Sequence, residues 1–233
     1  MERQRAGSVS VDESGRAVTA RARAYEWVRE AVLLGRYPEG SFLEEKVLSE
    51  AAGVSRTPVR EALHRLAAEG YLDLLPRRGA QVRRVTVAEM IETYEMRQVL
   101  EIHGFRTLCD KRLEIPARQA ELLELMGDAE LLARCRTGDR EAIAEHGKLD
   151  FQFHFGFVQA TGNTVLTDLF RSLRPRHQRI GVSAITIRPE RLPLIMREHK
   201  ALLDSLGGHE FETAARTIRA HLNPDQTVVA HLD

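Results

Sequence analysis

Apolar residues recur along this chain at helical spacing, lose it briefly, and then regain it for the rest of the sequence. Tyr25, Val28 and Val32 are three and four apart, which places them on one face of an amphipathic helix from Val18 to about Leu34. The glycines and proline of "GRYPEG" end it. A second short helix is predicted from about Leu43 to Ala51, with Val47, Leu48 and Ala51 inward, and Gly53 breaks it. A third opens at "SRTPV", where Ser55 or Thr57 can cap the first turn and Pro58 is tolerated because N–H groups there have no intrahelical partner. Leu63, Leu66 and Ala67 form its apolar face, and it ends near Gly70. The stretch "YLDLLPRRGAQVRRVTV" reads as two short extended segments joined by a tight turn.

From about Ala88 to Leu222 the pattern is helical almost throughout. Candidate helices cover 88–112, 116–135, 139–160, 163–179, 189–206 and 210–222, separated by Gly, Pro or Asn. Only "IGVSAITI", at 180–187, alternates as a strand would, and it can equally continue or break a helix. The fold class is therefore mainly α: a polar disordered arm over 1–16, three helices with a two-stranded wing over 17–85, and an all-α bundle of about six helices over 88–225. Three helices and a wing are the winged helix-turn-helix arrangement, in which the helix after the turn enters the DNA major groove.

Composition sharpens this picture in one respect. Formal net charge is zero, yet residues 1–85 carry 15 Lys+Arg against 12 Asp+Glu, and the remainder carries 19 against 22. Lys46 is the one basic residue of the first segment that is not arginine, and the planar guanidinium suits phosphates and guanine edges. No apolar run approaches the roughly 20 residues needed to span a bilayer, and the opening residues lack the apolar stretch of a signal peptide, so a cytoplasmic protein with no membrane partner is expected. Cys109 and Cys135 have no zinc-ligand spacing, and a structural disulfide is not expected in that setting.

Residues 38–82, "PEGSFLEEKVLSEAAGVSRTPVREALHRLAAEGYLDLLPRRGAQV", resemble the DNA-binding signature of the GntR family of bacterial regulators. The stretches "YEMRQVLE" (94–101), "DFQFHFGFVQATGN" (150–163), "REHKALLDSL" (197–206) and "RAHL" (219–222) resemble the all-helical FCD-type effector domain of its FadR-like branch. The resemblance implies DNA contacts from Arg56 and Arg60 on the recognition helix, with Ser55 or Thr57 on phosphate, and further contacts from Lys46 and from Gly79 at the wing tip. Arg65 and Arg78 join that set as candidates, since a solvated helix face or turn explains them as readily.

In the second half, Asp150 and His154 lie four apart, on one face of a predicted helix about a turn from each other, so they can share a metal ion. His199 lies among aliphatic residues in mid-helix and His221 at the end of the last one. On spacing alone, hydrogen bonding is the more common account of such histidines. The resemblance implies that these four are metal ligands, with zinc the default ion and nickel or manganese possible. It further implies that a small organic acid completes the shell, with Arg97 reaching into the same cavity. Arg97 can otherwise pair with Glu101, one turn on. Asn163 is expected as a helix boundary that also lines the pocket. His64, His103, His146, His177, His209 and His231 are assigned to the surface or to ordinary hydrogen bonds, and Glu198, about 100° around the helix from His199, to no role.

The expected function is a homodimeric transcriptional regulator, a repressor by preference, reading a pseudo-palindromic operator and controlled by the acid. A direct metal-responsive regulator is the alternative. A metalloenzyme fused to a DNA-binding module ranks last, for want of a base beside the ligands or a nucleophile motif, and no catalytic residue is assigned.

Overall fold

The computed structural model describes residues 19–232, so the expected arm over 1–16 and a helix start at Val18 lie outside the described residues. Two compact units divide the chain between Arg83 and Arg84.

In the first unit, α1 (Ala20–Leu33) is capped by the Thr19 side chain, and α2 (Glu45–Ala52) ends at Gly53, whose φ of 63° is the left-handed conformation that glycine adopts without strain. The helix α3 (Arg56–Ala68) follows. Val28, Leu48, Val59 and Leu66 are wholly buried between these helices, and Tyr71, Leu72, Ala80 and Val82 continue the core onto a sheet. That sheet has three strands, β1 (Phe42–Leu43), β2 (Leu72–Leu75) and β3 (Gly79–Val82), in the antiparallel order β1-β3-β2. Leu43 was expected to open the second helix. Instead Phe42 pairs with Gln81 and Leu43 with Ala80. A two-residue strand is too short to show a period, and its partner lies about 40 residues away, so nothing local announces it.

The second unit holds nine α-helices among the described residues: α4 (Val87–Asp110), α5 (Arg118–Met126), α6 (Ala129–Arg136), α7 (Arg140–Ala160), α8 (Thr164–Ser172), α9 (Arg174–Ile187), α10 (Leu192–Gly207), α11 (Phe211–His221) and α12 (Gln226–Leu232). About six were expected, and each difference has a local cause. Asp128 accepts the Leu131 N–H and starts a new helix, splitting 116–135 in two. Pro175, in the first turn of α9, separates that helix from α8. "IGVSAITI" belongs wholly to α9, which buries Ile180 and Ile185, and its apparent alternation is that of a helix with apolar residues on more than one side. The last helix, α12, was not expected.

Phe105, Leu108, Leu122, Met126, Phe153, Phe157, Leu202, Leu206 and Ile218 form the main core of this unit. Gln119 of α5 lies buried across α7 and donates from Nε2 to the Phe153 carbonyl at 3.2 Å. Gly156 makes that crossing possible, because a Cβ there would stand 1.8 Å from Gln119 Nε2. The long helices α4 and α7 each turn one face inward, and on both of them charged or ionisable residues interrupt the apolar set. Those interruptions build the site.

Candidate metal centre and nucleic-acid interface

On α7, residues 146, 150 and 154 recur every four positions, so His146, Asp150 and His154 project from one side. His199 comes from the middle of α10 and His221 from the last turn of α11. The four predicted ligands, Asp150, His154, His199 and His221, meet: one ligand atom from each lies within 4.8 Å of every other. His154 Nε2 is 3.1 Å from His199 Nε2, and His199 Nε2 is 3.2 Å from Asp150 Oδ1. The three imidazoles pack with ring centroids 4.8–5.2 Å apart.

Protonation follows from the partners on the far side of each ring. Glu101 of α4, wholly buried, accepts from His154 Nδ1 at 2.7 Å and from Arg97 Nε at 2.8 Å. Burial alone would raise its carboxyl, but the Arg97 charge and the His154 hydrogen bond together outweigh burial and pull it down to about 2. His154 therefore carries its proton on Nδ1 and presents a bare Nε2 lone pair. Glu198 receives His221 Nδ1 at 2.9 Å, leaving that Nε2 for the cluster. His177 of α9 donates from Nε2 to Asp150 Oδ2 at 2.6 Å, so Oδ1 is the oxygen that faces the histidines. Desolvation keeps His154 neutral, at about 3, and lowers His199 and His177 likewise. Asp150 is held well below the usual carboxylate range: burial acts the other way and most strongly, and the His177 and His199 hydrogen bonds overcome it.

These observations fit a divalent metal. Neutral imidazoles and an ionised carboxylate are the forms that ligate, and the carboxylate behind a histidine is the usual orienting partner of a metal-bound ring. Asp150, His154, His199 and His221, with donor atoms within 4.8 Å of one another, are the residues that would hold the ion. His199 Nδ1 is buried without a hydrogen-bond partner, and its Nε2, with at most one proton, can donate to only one of the two acceptors it faces.

Beside this cluster lies a cavity of about 70 Å³, lined among others by Tyr94, Arg97, His146, His177, Arg188 and Arg191. One water needs roughly 10–15 Å³ of such space, so a small organic molecule fits. Arg97 lines the cavity and also pairs with Glu101. Nε holds Glu101 in a buried ion pair, whereas the expected pair was a weak surface one, and Nη2, also buried, has no hydrogen-bond partner. His146 is buried with neither ring nitrogen bonded, and desolvation lowers it to about 4. The surface or hydrogen-bonded place expected of His146 is corrected, since it is buried with neither ring nitrogen bonded, whereas His177 makes a hydrogen bond as expected, to Asp150; both line the cavity. Asn163 is elsewhere. It is exposed, caps α8 by accepting the Leu166 N–H at 3.1 Å, and is not among the residues lining the cavity. Glu101 and Glu198 hold the outer nitrogens of His154 and His221, a place that was not expected of either. Glu101 sits four residues after Arg97 on the same face, which was the available signal.

In the first unit, Lys46, Ser55, Arg56, Thr57, Arg60, Arg65, Arg78 and Gly79 are all exposed. Ser55 occupies the cap position of α3 without making a side-chain cap bond, so its hydroxyl stays available. Gly79, with φ of 91°, and Arg78 lie at the β2–β3 turn. Arg60 is held by Glu45 through two bonds of 2.9 Å, a bidentate clasp between α2 and α3. Arg65 differs from the others. It lies 3.9 Å over the Tyr25 ring and bonds Glu69 at 2.9 Å, so it ties α3 to α1.

Comparison with known proteins agrees with this geometry. Residues 20–82 match the family profile described as bacterial regulatory proteins, gntR family, and residues 92–224 match the FCD domain. The chain is 25% identical over 209 residues to the uncharacterized HTH-type transcriptional regulator YdhC of Bacillus subtilis, covering 89% of this chain and 90% of that protein. It is 25% identical over 213 residues to the fatty acid metabolism regulator protein of Erwinia tasmaniensis, covering 84% and 85%. Among solved structures, E. coli McbR/YncC shares the fold, with a TM-score of 0.69 and 24% identity over 92% of this chain and 97% of that one.

Proposed function

This chain belongs to the gntR family of bacterial regulatory proteins and is a DNA-binding transcriptional regulator with an FCD domain, and on that premise we propose that it is a homodimeric repressor released from its operator by a small organic acid. The observation that carries this reading is the meeting of Asp150, His154, His199 and His221 beside a cavity lined in part by Arg97, whose Nη2 is buried and unpartnered. A zinc, nickel or manganese ion at the four donors would supply an open coordination position for a carboxylate. Arg97 then binds a second oxygen of the acid from Nη2, and Glu101 keeps that guanidinium in place through Nε.

Arg56 and Arg60, with Lys46, Ser55, Thr57, Arg78 and Gly79, form the proposed DNA contacts. Arg56 and Arg60 reach base edges or phosphates from the start of α3, and the others fix register on the backbone. Arg65 would have to leave Tyr25 and Glu69 to join them, as Arg60 would have to leave Glu45. The α4 and α8 helices, which touch each other, expose Val99, Val165 and Leu169, and this apolar face supports pairing of two copies, so that a two-fold operator is read. An acid can release DNA only if it binds one dimer geometry more tightly than the geometry that fits the operator. The protein acts in the cytoplasm, where its operator is.

Selection of operator fragments from random DNA, followed by binding titrations with and without acetate, succinate and citrate, tests the reading. Loss of operator affinity with an acid, at unchanged metal content, supports an acid sensor. Release that follows metal concentration alone contradicts it in favour of a direct metal sensor.

A further inference from the structure

The cavity is charged at two places of different depth. Arg97 is nearly inaccessible, with a side chain 4% exposed, whereas Arg191 and Arg188 are 20% and 33% exposed and stand where the cavity opens. Both outer arginines approach Asp225, and Arg188 also donates from Nε to Glu190 Oε1 at 3.1 Å. Asp225 Oδ2 takes a close contact from Arg188 and lies 3.6 Å from Arg191. Its Oδ1 caps α12, accepting the N–H of Thr227 at 2.9 Å and of Val228 at 3.3 Å. Asp225 and α12 lie just past residue 224, where the match to the FCD domain ends.

We propose that Arg188 and Arg191 are a second anion site at the mouth of the cavity, that Asp225 fills it from within the chain, and that the ligand is an acid with at least two anionic groups. One group goes to Arg97 and the metal-side donors, and the other displaces Asp225. This rests on the acid-binding reading above. Exchanging one carboxylate for another at a guanidinium keeps the same hydrogen bonds, so an incoming second group loses little there. What it must overcome is an internal competitor that is always present, and this lowers the apparent affinity for a diacid while leaving that for a monoacid unchanged. The displaced residue is also the tether of α12. Val228 of that helix packs with Val85, Met90 and Ile180, and Val85 stands at the very start of the second unit. Binding a diacid therefore loosens the helix seated beside the segment that leads to the DNA-binding unit.

The test is calorimetric titration of acetate and succinate into the metal-loaded full chain, comparing the wild type, Asp225→Asn and the double variant Arg188→Gln, Arg191→Gln. Asparagine keeps the oxygen that caps α12 and removes the charge. Succinate should bind Asp225→Asn about tenfold more tightly than wild type, as loss of one competing ion pair implies, with acetate unchanged. The double variant should lose the preference for succinate over acetate. Amide exchange over 226–232 should quicken in the wild type when succinate is added. Equal effects of Asp225→Asn on both acids, or no effect on either, would overturn the second site while leaving the acid-binding reading intact. If neither acid binds any of the three proteins, that reading fails and the second site with it.

Discussion

The two units carry their polar chemistry on opposite sides of their packing. In the first, Arg56, Arg60, Lys46 and the wing arginine Arg78 are exposed, and the core behind them is purely apolar apart from the tyrosine hydroxyls. In the second, Arg97, Glu101, His146, His154, His177 and His199 are all buried, on the helix faces that build the core. A surface side chain can change without disturbing what holds the helices together. A buried charge network cannot, because each member removes the desolvation penalty of its neighbour. Substitutions should therefore separate function from stability in the first unit and confound them in the second.

The largest effect is expected from Glu101→Ala. It leaves the Arg97 guanidinium and His154 Nδ1 without their acceptor inside the protein, and loss of one partner of a buried pair costs about 3–5 kcal/mol. Urea unfolding followed by far-UV circular dichroism measures it, and a change below about 1 kcal/mol would mean that water reaches this network. Gly156→Ala comes next. The new methyl displaces the buried Gln119 amide from its carbonyl partners, at about 1–3 kcal/mol, and Gln119→Ala in the same background should recover part of that loss.

Arg56→Ala reverses the pattern. Operator affinity should fall by about 1–3 kcal/mol, with a shallower salt dependence if a phosphate contact is lost, while unfolding shifts by less than about 0.5 kcal/mol. A destabilisation as large as that of Gly156→Ala would erase the contrast between the units. The smallest effect concerns Asp225, whose carboxyl is drawn down to about 2, first by the Arg188 hydrogen bond. A folded value below the unfolded one, near 4, means that its contribution is fully present above about pH 4 and is lost as pH falls toward 2. Amide exchange in α12 should quicken over that window, and Asp225→Asn should abolish the dependence.

The same contrast explains what was legible in the sequence. Tyr25, Val28, Val32, Leu63 and Leu66 follow an unbroken helical spacing because nothing polar is required on those faces, so the three helices of the first unit were readable from period alone. The strand Phe42–Leu43 was not, because its identity depends on Gln81 and Ala80. In the second unit the long helices were readable, but α9 was disguised. Its apolar residues alternate over 180–187 while the helix turns both toward the core and toward the cavity. Asp150 and His154 could be linked by their spacing of four. His199 and His221 could join them only through the family resemblance, since α7, α10 and α11 must pack before their side chains meet. His146 shares the spacing of four with Asp150 and His154, a signal left unused, and His177, in "RPRHQRI", was the least settled of the other histidines because α9 must pack on α7 before it meets Asp150.

The account depends most on the four donors acting together. Elemental analysis of purified full-length protein beside an Asp150→Ala, His199→Ala double variant tests this directly. One bound transition metal per chain in the wild type, absent from a variant that remains folded, is the expected result. No metal in the wild type, even after soaking with Zn²⁺ or Ni²⁺, would contradict the metal centre and leave Arg97 and the neutral histidines as a metal-free anion pocket.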